Sequence, residues 1–202
     1  MFMQDIVKLT TAFTRVVPRP RTTQALSVTT GLVAGTLVET ASGWQDVAAL
    51  RIGDAVQTLD GGLSRILGLD RRVLRPEPET SLILIPGGCH DACSDILLMP
   101  GQHVLKDTLD DPTTHGAPFV LLPAFAMTID RLVTRHFPDA EVEVITLLFA
   151  DEEVIFANSG VLLHCPGIID GAGKPPDESF FPRLDSLDAR AFLTRRAARL
   201  DA

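Results

Sequence analysis

Gly31-Leu32-Val33-Ala34-Gly35-Thr36-Leu37-Val38-Glu39-Thr40, followed by Gly43-Trp44-Gln45-Asp46-Val47-Ala48-Ala49-Leu50-Arg51-Ile52-Gly53-Asp54-Ala55-Val56-Gln57-Thr58 and closed by Leu59-Asp60-Gly61-Gly62, is the most informative run in the chain. Thr36 to Thr40 and Ala55 to Leu59 alternate apolar and polar side chains, which gives each a single buried face and predicts two strands. Between them, Gln45 to Leu50 has the composition of one helical turn. Gly61-Gly62 supplies residues that tolerate positive φ for a hairpin turn. Gly53-Asp54 reads as a turn whose carboxylate caps backbone amides rather than as a catalytic pair.

The same texture continues outward. From Leu32 onward, short β-branched runs are interrupted by Gly, Asp or Pro about every eight to twelve residues, the rhythm of a sandwich or compact barrel. Further strands are predicted at Ser64 to Leu69, Ser81 to Ile85, Val142 to Phe149 and Glu153 to Ala157. Residues 109 to 118 and 167 to 177 are turn-rich and polar, and read as loops. Upstream, residues 5 to 17 carry apolar side chains at helical intervals until Pro18-Arg19-Pro20-Arg21 stops any helix. Ser186 to Leu200 has strong helix formers, Ser186 as a candidate cap and arginines late, where the helix dipole favours them. The expected organisation is a short leader over residues 1–27, helical and then Pro-rich, a β domain over 28–170, and a loop and helical tail over 171–202. No internal repeat or low-complexity tract is visible.

Composition narrows the function classes. The 202 residues are 46% hydrophobic and 22% charged, a globular balance for one domain with tails. A net charge of −8 repels phosphate backbones and anionic lipid, so nucleic acid and membrane are excluded as expected partners. Asp5 and Lys8 break the leader's apolar run, so it lacks the core of a secretory signal. No stretch reaches the roughly 18 to 20 apolar residues a membrane span needs. The odd count of three cysteines suits a reducing compartment, and a cytoplasmic location is expected.

The ordered series from Gly31 to Thr58 closely resembles the first block of the Hint (hedgehog/intein) self-processing family. That block runs Cys-Phe-x-x-Gly-Thr, a strand, a Gly turn, an acidic-Leu turn and Gly-Asp-x-Val. Ser94-Asp95-Ile96-Leu97-Leu98-Met99-Pro100-Gly101-Gln102-His103-Val104-Leu105 is similar to the aspartate-leucine segment and Ser-Pro-x-His of the bacterial members. Val144 to Gly160 is similar to their late paired strands. The resemblance covers residues 31 to about 165 and implies an all-β, horseshoe-shaped fold with pseudo-two-fold strands. It also implies Gly35, Thr36, Gly53 and Asp54 as structural motif residues. The activity it implies is self-processing, in which the first cysteine attacks the carbonyl before it and makes a thioester. Sulfur suits that step because a thiolate both attacks and leaves well. A second-block histidine, aided by Ser or Thr, protonates the scissile nitrogen.

The chemical positions depart from this pattern. The nucleophile position falls on Gly31, which has no side chain. Ungapped alignment of the second block puts Met99 where Ser or Thr is expected and Gln102 at the histidine, leaving His103 one place late. A one-residue bulge would bring His103 back. Where the family often has a histidine before Glu-Val, this chain has Glu152. Two readings therefore stand side by side. In the first, the domain lacks self-processing or is strongly impaired in it, and acts as a structural or binding module for an unknown protein partner. In the second, Thr30 attacks by an N-to-O shift with His103 protonating the leaving nitrogen, and the substrate is the protein's own polypeptide near Thr30-Gly31. Substitution by design would normally change the nucleophile alone, and the further changes at Met99 and Gln102 favour natural decay.

Other candidates have plainer explanations. Cys89-His90-x-x-Cys93, His103 and His164-Cys165 hold zinc-type donors, but Cys-x-x-x-Cys is loose spacing and neighbours on a strand face opposite ways. Buried, unliganded cysteines are expected, with no metal and no cofactor. Asp151-Glu152-Glu153 reads as a solvated turn. His103 reads equally well as a satisfied core histidine and as a vestigial catalytic one.

Overall fold

The computed structural model describes residues 30–109, 111–168 and 179–200. The leader expected over residues 1–27 lies outside them. Two antiparallel sheets make the body. One has six strands, in the order β11 (Thr134–His136), β7 (Leu82–Ile85), β8 (Ile96–Leu98), β1 (Leu32–Val33), β12 (Val142–Leu148) and β6 (Gly68–Leu74). The other has eight: β10 (Phe119–Pro123), β9 (His103–Asp107), β14 (Val161–Cys165), β13 (Glu153–Ala157), β2 (Leu37–Thr40), β4 (Ala55–Thr58) and β5 (Gly62–Arg65), with β3 (Gly43–Asp46) paired to β2. The all-β class with one C-terminal helix, α1 (Ser186–Leu200), agrees with the strand patterning.

The quoted N-terminal stretch folds as its turns suggest. β2 returns as β3, placing Glu39 opposite Trp44, and Trp44 remains 40% exposed. Asp46 caps the 3-10 turn Val47–Ala49 by accepting from Ala48 N at 2.8 Å, and the same Oδ1 accepts from Gly35 N at 3.0 Å. Gly53 sits at φ +97, and Asp54 Oδ2 accepts from Arg51 N at 2.8 Å. The run predicted as one strand over 64–69 is two: β5 pairs with β4 in one sheet and β6 with β12 in the other. Ile66, fully buried, makes the transfer between sheets, tied on both sides by backbone bonds with Gly53 and Asp54.

The main core of aliphatic side chains from both sheets, including Leu32, Val38, Ile83, Leu98, Val104, Ile145, Ile155 and Leu163, also takes in Ala189, Phe192 and Leu193 of α1. These helix positions fall at i, i+3 and i+4, one face of the helix. The N-cap is Asp185 and not Ser186: its Oδ1 accepts from Leu187 N and Asp188 N at 2.8 and 2.9 Å. A carboxylate one residue earlier is better placed to receive the orphan amides of the first turn. Among the described residues, no helix is long and apolar enough to cross a membrane.

Candidate functional site

β1, the β8–β9 turn, β12 and β14 come together around a cleft of about 200 Å³, lined by Thr30, Gly31, Gln102, His103, Thr146 and His164 among others. β1 is only two residues long, so its outer end leaves Thr30 and Gly31 at the mouth, where Gly31 is buried and Thr30 exposed.

Gly31 N donates to Gln102 Oε1 at 3.0 Å, across 71 residues of sequence. Gln102 Nε2 donates to His164 O at 2.8 Å and to His103 O at 3.2 Å. With two carbonyl oxygens on one side and an N–H on the other, the partners fix which end of the amide is which. Gln102 is 3% exposed and every polar atom of its side chain is used. The one-residue bulge that would bring His103 back is not present in β9. β9 pairs with β10 without interruption from His103 opposite Pro123 to Asp107 opposite Phe119, so His103 keeps its own register and Gln102 holds the place beside Gly31. An extra residue in β9 would misplace Val104 and Leu105, both buried, and the ladder has no room for it.

The backbone at Gly31 has adapted to the lack of a side chain. Its φ is +124, and a Cβ built there would lie 2.6 Å from Val144 Cγ1 and 3.3 Å from Thr146 Oγ1. A side chain there requires Val144 to shift and sits on a φ that L residues resist. Val144 belongs to a small apolar cluster with Val33, Leu82 and Met99. Met99 therefore lies outside the cleft, 3% exposed in packing, and gives the site no hydroxyl.

The rim opposite Gly31 is built around Glu152, which precedes β13. Its carboxylate accepts from Ser179 Oγ at 2.9 Å and from Phe180 N, and its Oε2 is 3.1 Å from His164 Nε2 and 3.6 Å from Arg183 Nη2. With only 15% of the side chain exposed, Glu152 is not in a solvated turn; Glu152 and Glu153 are both half-buried and hydrogen-bonded, and Asp151 is the run's exposed member. Burial alone would raise its pKa, but the hydrogen bonds from His164, Phe180 N and Ser179 hold it down at about 2. His103 meets His164 edge to face, with ring centroids 6.2 Å apart. Burial first, and then the charges of Arg183 and His164, lower its pKa to about 4, so at neutral pH its imidazole is uncharged.

Cys165 also lines the cleft, but it is 2% exposed and burial raises its thiol pKa strongly, which keeps sulfur protonated. Cys89 is half-buried. Cys93 is exposed, contrary to the expectation of a buried thiol, because its turn lies on the surface with Sγ donating to Ser159 O at 3.4 Å. The structure thus brings Thr30, Gly31, Gln102 and His103 into one cleft, with Met99 behind it. Gly35, Thr36, Gly53 and Asp54 belong to the turns of the second sheet. Sequence reasoning missed the meeting of Glu152 and His164 with Ser179 and Arg183. Their separation in the chain hides it, and only the register of Glu153 opposite Cys165, which sets Glu152 beside the end of β14, reveals it.

Residues 30–162 match the family model described as Hint domain. No curated protein matches the chain. Among solved structures, an intein-like domain from Clostridium thermocellum is 17% identical, with a TM-score of 0.47 over 67% of this chain and 98% of that one. A splice-inactive variant of the AceL NrdHF class 3 split intein is 12% identical, with a TM-score of 0.46 over 67% and 97%.

Proposed function

Since the chain belongs to the Hint domain family over residues 30–162, we propose that this member has lost the self-processing step at its first position and serves as a structural or binding module for another protein. Its second block, Ser94 to Leu105, allies it with the bacterial type. The observation that carries the reading is the bond from Gly31 N to Gln102 Oε1. Self-processing needs an attacking side chain on the residue at position 31 and a proton for its nitrogen as the peptide bond breaks. Gly31 provides no attacker. Gln102 presents a carbonyl oxygen, which accepts a hydrogen bond and has no proton to give. Val144 Cγ1, standing where a Cβ would go, supports a long-settled loss and not a single exchange of residue.

The Thr30 alternative meets two physical objections. Attack by the Thr30 hydroxyl breaks the bond before Thr30, whereas Gln102 holds the next nitrogen along, that of Gly31. His103, uncharged at neutral pH, is also a poor acid for a leaving amine. The test is the intact mass of the purified chain over days, with and without hydroxylamine or thiol. An unchanged full-length mass is expected. A fragment beginning near residue 30 or 31 overturns the proposal.

A further inference from the structure

Residues 179–200 follow the family-matched region, yet they meet the body through several separate kinds of contact. At the cleft, Ser179 Oγ, Phe180 N and Arg183 all converge on Glu152. At the open edge of the second sheet, Leu121 N donates to Pro182 O and Leu184 N donates to Leu121 O, both at 2.8 Å, so the extended segment forms a single parallel bridge with β10 at Leu121 and Arg183. Phe181 packs edge to face on Phe119 beside the cluster of Leu105, Leu121 and Val154. Beyond it, α1 buries Phe192 and Leu193 in the main core.

The helix is also held by its arginines. Arg195 Nε reaches Asp111 Oδ2 at 2.9 Å, and Arg196 makes a two-pronged pair with Asp107 at 2.6 and 2.8 Å. Arg199 Nη1 donates to Leu109 O at 2.8 Å. Asp111 is 2% exposed, so its ion pair is better shielded than a surface pair and is costly to leave half-made. The acceptors sit on β9 and the turn after it, all within the family-matched region.

From this arrangement we infer that residues 179–200 are an intramolecular ligand of the body, a strand-and-helix clasp that stays bound when the chain joining them is cut. The surface it occupies fits a partner of defined chemistry: one extended residue pair for a sheet edge, aromatic side chains beside it, and a helix with arginines spaced to meet Asp107 and Asp111. In a family whose chemistry separates flanking segments, a flank held in this way does not leave when its peptide link is broken. The inference concerns association of the pieces and is independent of whether the uncut chain processes itself.

The test is to place a protease recognition sequence between residues 169 and 178, cleave the folded full-length protein, and examine it by gel filtration and native mass spectrometry. Both pieces are expected in one species, separating only in denaturant. Separation under native conditions overturns the inference, whether or not the body keeps its β circular dichroism. In the cut protein, Arg195→Ala with Arg196→Ala is expected to raise the dissociation constant at least roughly tenfold, and Glu152→Gln to raise it less. An unchanged dissociation constant in both variants overturns the assignment of the clasp to these contacts.

Discussion

Asp46 and Gln102 make the same kind of bond in two different parts of the molecule. In the hairpin frame, Asp46 gathers the amides of Gly35 and Ala48, and Asp54 receives that of Arg51. In the cleft, Gln102 gathers the amide of Gly31 and the carbonyls of His103 and His164. In the frame such bonds are ordinary turn chemistry, needed wherever the chain reverses. In the cleft, on the proposed function, they occupy positions where the family's reaction requires groups free to move protons. The difference between a frame and a reaction site is spare hydrogen-bonding capacity, and beside Gly31 the Gln102 amide has both of its ends engaged.

The strongest way to break this comparison is to put a nucleophile at position 31. Gly31→Cys is expected to destabilise the fold by about 3 kcal/mol in urea or guanidinium unfolding, through overpacking against Val144 and a positive φ that cysteine resists. It is also expected to leave the intact mass unchanged. A cleaved product from that single change would show that the cleft still holds reactive capacity.

Removing the central amide comes next. Gln102→Leu keeps the volume but leaves Gly31 N and His164 O without their partner, at a cost of about 2 to 3 kcal/mol. A denaturation midpoint within error of wild type would mean that water takes over these bonds and the cleft is wetter than its burial indicates.

Acid titration separates the two regions without mutation. His103 has a pKa of about 4 when folded against about 6.5 unfolded, so between those values only the unfolded chain takes up the proton. Stability contributed by keeping it neutral is complete above pH about 6.5 and is lost as pH falls through about 4, a change of about 2 kcal/mol after allowing for partial exposure. Glu152, depressed to about 2, acts in a lower window, from its unfolded value near 4.5 downward. His103→Phe is expected to reduce the slope of the upper window and to leave the lower one, the remainder belonging to His90, whose pKa burial also lowers. If the slope between pH 6.5 and 4 is unchanged in that variant, the cleft is not its source.

The smallest effect belongs to the frame. Asp46→Ala removes the cap of the 3-10 turn and one bond to Gly35, costing about 1 kcal/mol, and is expected to leave the cleft unaffected. Loss of the acid slope seen at His103 in this variant would show the two regions to be mechanically coupled.

What could be read in advance divides along the same line. Strand alternation and glycine turns are local signals, so β2, β4, β7, β12 and β13 were legible to within a residue or two. β10 and β14 carry near-continuous apolar runs, and β9 buries Lys106 beside Val104 and Leu105, so period-two alternation is absent in all three. The split between β5 and β6 was hidden because a strand that changes sheets keeps its β composition. In the site, Gly31 and Gln102 could be placed by alignment with a known family pattern. That Gln102 bonds to Gly31, and that Glu152 draws in residues 179–183, depends on registers set by long-range pairing, which no local pattern encodes.

Trp44, half out of the sheet on β3, gives the hairpin frame an optical label of its own. The chain has one tryptophan and no tyrosine, so fluorescence excited near 295 nm comes from this hairpin and from nowhere in the clasp. Far-ultraviolet ellipticity near 222 nm, in contrast, is weighted toward α1. The protein therefore carries two separable spectroscopic channels, and a melt in which ellipticity falls before emission shifts would time the detachment of the helix against the collapse of the sheets in an unmodified chain.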